Sequence, residues 1–212
     1  MWWWNSVMCL SDFSIRPGTN MKLSDWRYCK ECRLHKYRHR VVIGRGSLPC
    51  DILMVGMGPG PVEDLKGEPF VGPSGKLLDT AMEIAADQLG LEAIPPYYVT
   101  NVVACIPHDG WGKKVRDPKS DEAFACRERL MLQYRRAKAK VIVTFGEVTV
   151  AQCKGLFSPP PVALIHPAAC VRSGGTESGR FLPLVRGLMT VFQSAVKEER
   201  HARSDRRARR KA

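Results

Sequence analysis

The sequence predicts an α/β fold: a three-layer sandwich with a central, mainly parallel four-stranded sheet flanked by helices. Three observations predict it. Four short apolar runs, starting at Asp51, Tyr97, Lys140 and Val162, alternate with stretches of helical periodicity. The first run stops in a glycine-rich turn, where α/β proteins place ligands. The chain has 212 residues, 44% of them apolar and 25% charged, which suits one globular α/β domain with ragged ends.

Residues 1–20 lack periodicity and contain Pro17 and Gly18, so a disordered leader is expected, with Met21 a candidate start. Ser24 or Asp25 suits the cap of a short helix through Trp26, Arg27 and Tyr28. Cys29-Lys30-Glu31-Cys32 follows. A C-x-x-C pair is compatible with redox chemistry or with half of a zinc or iron–sulfur site, and a metal site needs two more ligands. Asp51 to Val55 is the first strand, and Gly56-Met57-Gly58-Pro59-Gly60 the turn. Gly75 to Leu89 is a helix, with Leu77, Leu78, Ala81, Met82, Ile84 and Ala85 on its apolar side.

Pro95-Pro96 opens the second strand, Tyr97 to Thr100, which leads to Asn101 and Cys105. His108 to Ser120 is a polar loop. Asp121 and Glu122 start a helix to about Ala137, acids first and bases last, as the helix dipole prefers. Lys140 to Gly146 is the third strand and turn, Glu147 to Lys154 a short helix, and Leu156 to Pro161 a proline-rich link. Val162 to Pro167 is the fourth strand with its turn, and Phe181 to Val196 the last amphipathic helix. The domain is thus expected over 21–197, with an arginine-rich, unfolded tail over 198–212.

The glycine turn is not a dinucleotide fingerprint, because Pro61 stands where that pattern needs glycine. No G-K-[ST] follows, which excludes a P-loop. No run is long enough to span a membrane, and Met1 to Ser6 is not a secretory signal, so a cytoplasmic protein without a membrane partner is expected. The net charge of +12 gathers at Arg27–Arg45, Lys113–Arg116, Arg127–Lys140 and Arg200–Lys211, a distribution suited to nucleic acid. Eight cysteines are many for a chain in a compartment where disulfides are rare.

Three motifs are more specific. Gly56-x-Gly58-Pro59-Gly60-x-x-Glu63-Asp64-x-x-Gly67-x-Pro69-Phe70-Val71-Gly72-x-x-Gly75-x-Leu77-Leu78-Asp79, then Thr100-Asn101-Val102-Val103-x-Cys105-x-Pro107, then His166-Pro167-Ala168, closely resemble in spacing and order the motifs of family 4 uracil-DNA glycosylases. The resemblance covers about Met21 to Val196. It implies a monofunctional enzyme, expected as a monomer, that flips uracil out of DNA, excises it and leaves an abasic site. It also implies a 4Fe-4S cluster on Cys29, Cys32, Cys105 and Cys126, with zinc on the same thiolates as the chemical alternative. Phe70 would stack on the base. Asn101 would pair with the uracil edge, a match cytosine does not satisfy. Met57 and Gly58 would offer backbone N–H groups beside Gly56, and His166 would stabilise the leaving uracil anion through O2. The stretch Ala168–Arg172 would enter the minor groove. The basic tail is a candidate contact for replication or repair proteins.

Two positions depart from the family pattern. Met57 stands where the family has an acidic residue that serves the attacking water, and a thioether accepts no proton. Glu63 or Asp64 are its candidate replacements; a silent uracil- or DNA-binding module is the alternative. The stretch from Gly146 to His166 is also shorter than the family's.

Overall fold

The computed structural model describes residues 22–209, with side chains through residue 197; the expected leader lies outside the described residues. The elements are β1 (Arg45–Gly46), β2 (Ile52–Gly56), α1 (Pro61–Lys66), α2 (Pro73–Gln88), β3 (Tyr97–Asn101), α3 (Ser120–Ala137), β4 (Val141–Phe145), α4 (Glu147–Gln152), β5 (Val162–Leu164), α5 (Pro167–Arg172) and α6 (Phe181–Arg209). Two short 3-10 segments, Leu23–Tyr28 and Arg33–Lys36, precede them.

The sheet order is β1-β3-β2-β4-β5. The four expected strands pair in parallel, and the fifth, β1, is an antiparallel edge strand opposite Val99 and Tyr98. Two residues with a glycine carry no period to read, which hides β1 in the sequence. Residues of β2 alternate between faces: Ile52 and Met54 enter a core with α2 and α6, while Leu53 and Val55 enter a second core with α3. Both faces are covered, so the strand reads as an unbroken apolar run.

The chain leaves β2 for β3 on one side and later crosses to β4 on the other. That reversal parts the loops at the carboxyl ends of β2, β3 and β4, the place where open α/β sheets hold ligands. Two helices of six residues each were not expected from sequence. α1 starts with proline at its first position, and the Glu63 carboxylate accepts the Gly60 N–H at 3.2 Å. α5 is capped by His166. α6 runs as helix to Arg209, past the expected end at Val196, through a stretch rich in good helix formers.

Candidate functional site

A cavity of about 330 Å³ opens at the strand ends, walled by Met57, Gly58, Phe70, Asn101, Phe145 and His166. Every residue expected in the base pocket lines it except Gly56, which lies just behind. A Cβ on Gly56 would overlap Asn101 Oδ1 and come within 2.6 Å of Phe70 Cζ. The absence of a side chain there therefore lets the ring and the amide share one wall.

Phe70 adopts a left-handed backbone, φ 54°, costly for a bulky residue. Two features hold it. Gly75 packs with its Cα against the Phe70 backbone, where a Cβ would overlap the Phe70 carbonyl. The buried Glu63 carboxylate also accepts N–H groups from Val71 at 3.1 Å and Gly72 at 2.8 Å. The Phe70 ring stacks at 25° to His166, with centroids 6.1 Å apart, and tilts against Phe145. Asn101 ends β3 and is 2% exposed. Among the described residues its carboxamide makes no hydrogen bond, so donor and acceptor are free for a ligand.

His166 is the N-cap of α5, and its Nδ1 accepts the Ala168 N–H at 3.1 Å. Burial, with the nearby Arg172 cation, pushes its pKa down to about 4. The ring is neutral at pH 7, and with Nδ1 engaged its proton sits on Nε2.

Neither expected replacement acid is free. Glu63 is bonded to three backbone N–H groups. Asp64 accepts the His39 N–H at 3.0 and 3.1 Å and meets His39 Nδ1 at 2.7 Å. Both carboxylates hold the loop, and Met57 stays in the pocket wall. Asp117 and Glu147 also line the pocket, on segments the motifs do not cover.

A second, smaller cavity is lined by Cys29, Cys32, Cys105 and Cys126 together. Burial raises the Cys29 and Cys32 thiols and pushes Cys105 up to about 12. Cationic and amide donors point at the sulfurs: Arg38 Nη1 at 3.2 Å from Cys105 Sγ, Arg129 Nε at 3.4 Å and the Ala104 N–H at 3.3 Å from Cys126 Sγ. Trp26 Nε1 lies beside the same cavity, buried without a partner. This donor set fits an anionic sulfur-rich group. Among the described residues no group of His, Cys, Asp or Glu is arranged to hold a single metal ion. Cys50, Cys153 and Cys170 are buried elsewhere, as inert thiols are expected to be; Cys9 lies outside the described residues.

The uracil DNA glycosylase superfamily model matches residues 43–186, more than half of the chain. The chain belongs to the uracil DNA glycosylase superfamily. Its relatives include proteins named type-4 uracil-DNA glycosylase. The Saccharolobus solfataricus protein is 37% identical over 57% of this chain and 51% of its own length. The Archaeoglobus fulgidus protein is 40% identical over 61% and 60%. The Thermotoga maritima protein is 31% identical over 73% and 83%. The chain thus spans about half the length of several relatives and most of the bacterial one.

Several expected phosphate-binding bases of this superfamily member are committed elsewhere. Arg45 grips Asp79 at 2.7 and 3.2 Å, Arg116 bridges Asp109 and Glu122, and Lys140 pairs with Asp51 at 2.7 Å. Arg172, Lys113 and Lys114 remain exposed near the pocket mouth or on the loop beside it. Sequence reasoning missed Arg129, which lies at zero exposure under β3. Its spacing from Cys126 and Gln133 on α3, three and four residues, was the available signal. Among the described residues no helix is long and apolar enough to cross a membrane.

Proposed function

We propose that this protein excises uracil from DNA by hydrolysing the N-glycosidic bond and leaving an abasic site. The observation that carries it is one pocket holding an aromatic face, an unbonded carboxamide and a neutral imidazole. The base is flipped out of the duplex and lies against Phe70. The Asn101 carbonyl accepts from uracil N3–H and its NH2 donates to O4; cytosine presents the opposite pattern at both atoms. As the C1′–N1 bond breaks, its electron pair goes to the base. Negative charge gathers at O2, and His166 Nε2–H donates to it. The imidazole needs no proton from solvent, because the donor is already in place. Water then adds to the oxocarbenium-like C1′ and loses its proton to solvent, directly or through Asp117 or Glu147, the pocket carboxylates that the loop does not engage as it does Glu63 and Asp64.

Cys29, Cys32, Cys105 and Cys126 would hold a 4Fe-4S cluster. The cationic and amide donors aimed at the sulfurs suit a sulfur-rich anionic cluster; zinc on the same thiolates is the chemical alternative. These four residues would tie the N-terminal segment to the segment after β3 and to α3 through the cluster, whose role there would be structural. Exposed Arg172, at the pocket, and Lys113 and Lys114, on the loop beside it, are candidate cations for phosphate, so affinity should fall with salt.

The test is a single-uracil oligonucleotide incubated with protein, then alkali. Wild type should produce scission, and His166→Ala should lose about 10²- to 10³-fold in rate. Uracil-selective binding by wild type with no scission would instead support the silent module, which Met57 favours.

A further inference from the structure

Arg129 is wholly buried, yet its guanidinium makes no ion pair with a carboxylate among the described residues. Its five acceptors are Cys126 Sγ at 3.4 Å, Thr100 Oγ1 at 2.9 Å, Gln133 Oε1 at 2.6 Å, the Val102 carbonyl at 2.9 Å and the Asn101 carbonyl. A guanidinium does not shed its proton, so a buried one needs compensating negative charge. The sulfur site is where the contacts place that charge. Around it the other polar groups are closed: Thr100 Oγ1 donates to the Ile43 carbonyl, and Gln133 Nε2 donates to the same carbonyl and to Tyr98. Through this network Arg129 links the cysteine cavity to the backbone of Asn101 and Val102.

We propose that Arg129 is a positioning residue that couples the charge of the four-cysteine centre to the placement of Asn101, and so to the preference for uracil. The coupling rests on the proposed uracil reading and on a loaded cysteine centre. An anionic centre holds the Nε side of the fork. The opposite edge then fixes the two carbonyls at the end of β3, from which the carboxamide projects. Lysine keeps the charge but lacks the planar fork that reaches both sides.

The test uses full-length, loaded protein and compares affinity for a single-uracil oligonucleotide with that for its cytosine counterpart, which the Asn101 carboxamide rejects, alongside cluster absorption and reduction potential. Arg129→Met should lower the uracil preference by about 10- to 100-fold, the range found for outer-shell partners. Affinity for the cytosine strand should not change, because no phosphate contact is removed. The reduction potential should fall, because a cation and an N–H donor leave the sulfur. Arg129→Lys should keep a potential near wild type and still lose uracil preference. Should Arg129→Met fail to fold, wild-type preference in Arg129→Lys overturns the proposal by itself. Wild type stripped of its centre but still folded by circular dichroism should lose preference too; an unchanged preference there also overturns it. A wild type with no preference for uracil would instead sink the functional reading, which is a distinct outcome.

Discussion

The base pocket is shaped by positions that carry no side chain, and the cysteine cavity by positions that must carry one. Gly56, Gly58 and Gly75 let Phe70, Asn101 and the loop approach to distances a Cβ would forbid. On the other face of the sheet, Cys29, Cys32, Cys105, Cys126, Arg38 and Arg129 meet through side-chain contacts from segments far apart in sequence. The two regions should therefore fail in opposite ways. The pocket breaks when atoms are added, and the cysteine face when atoms are removed.

Adding one methyl group is the strongest test. Gly56→Ala should displace Asn101 or the Phe70 ring and cut excision by about 10²-fold, as misplacements near 1 Å do. Unfolding should show only about 1–3 kcal/mol of overpacking strain. Full activity in that variant would break the contrast.

The pocket's histidine gives a pH test. Its folded pKa lies near 4, below the ordinary value of 6.5. Between those values the unfolded chain binds more protons, so stability rises with pH through that window. The contribution is fully present above about pH 6.5 and is lost as pH falls towards 4, on the order of 3 kcal/mol in all. Urea midpoints of wild type and His166→Gln at pH 4.5 and pH 7 measure it: the two proteins should differ less in acid. Excision should show no histidine titration between about pH 5 and 8.

Removing charge from the Glu63 carboxylate that holds the loop sharpens the boundary between the regions. Glu63→Gln weakens bonds to three backbone N–H groups and should cost about 1.5–3 kcal/mol, the range for hydrogen bonds to charged groups. It should also free Phe70 from its left-handed backbone and raise KM more than it lowers kcat. Cluster absorption should stay at the wild-type level. Met57→Glu carries the smallest expected effect, a rise of less than about 10²-fold in single-turnover rate if water activation limits the reaction.

What was legible in the sequence follows the same division. Gly56, Asn101 and His166 stand at strand ends in short motifs, where one residue type satisfies one backbone constraint; the structure brings Asn101 and His166 to one cavity, with Gly56 just behind it. The parallel sheet was legible because β2 and β4 are buried on both faces and read as apolar runs. The roles of the charged residues were not. Arg45, Arg116 and Lys140 counted as free bases until their acidic partners, up to 89 residues away for Lys140, were brought beside them. Glu63 and Asp64 looked available because the loop that consumes their oxygens closes only in three dimensions. β1 and α5 were hidden for a different reason: two and six residues are too few to show a period.

A crystal of the loaded protein with uracil bound tests the central claim most directly. The base should lie against Phe70, with N3 and O4 on the Asn101 carboxamide and O2 on His166 Nε2. Uracil seated elsewhere, or in this pocket with Asn101 or His166 beyond hydrogen-bond reach, would contradict the account.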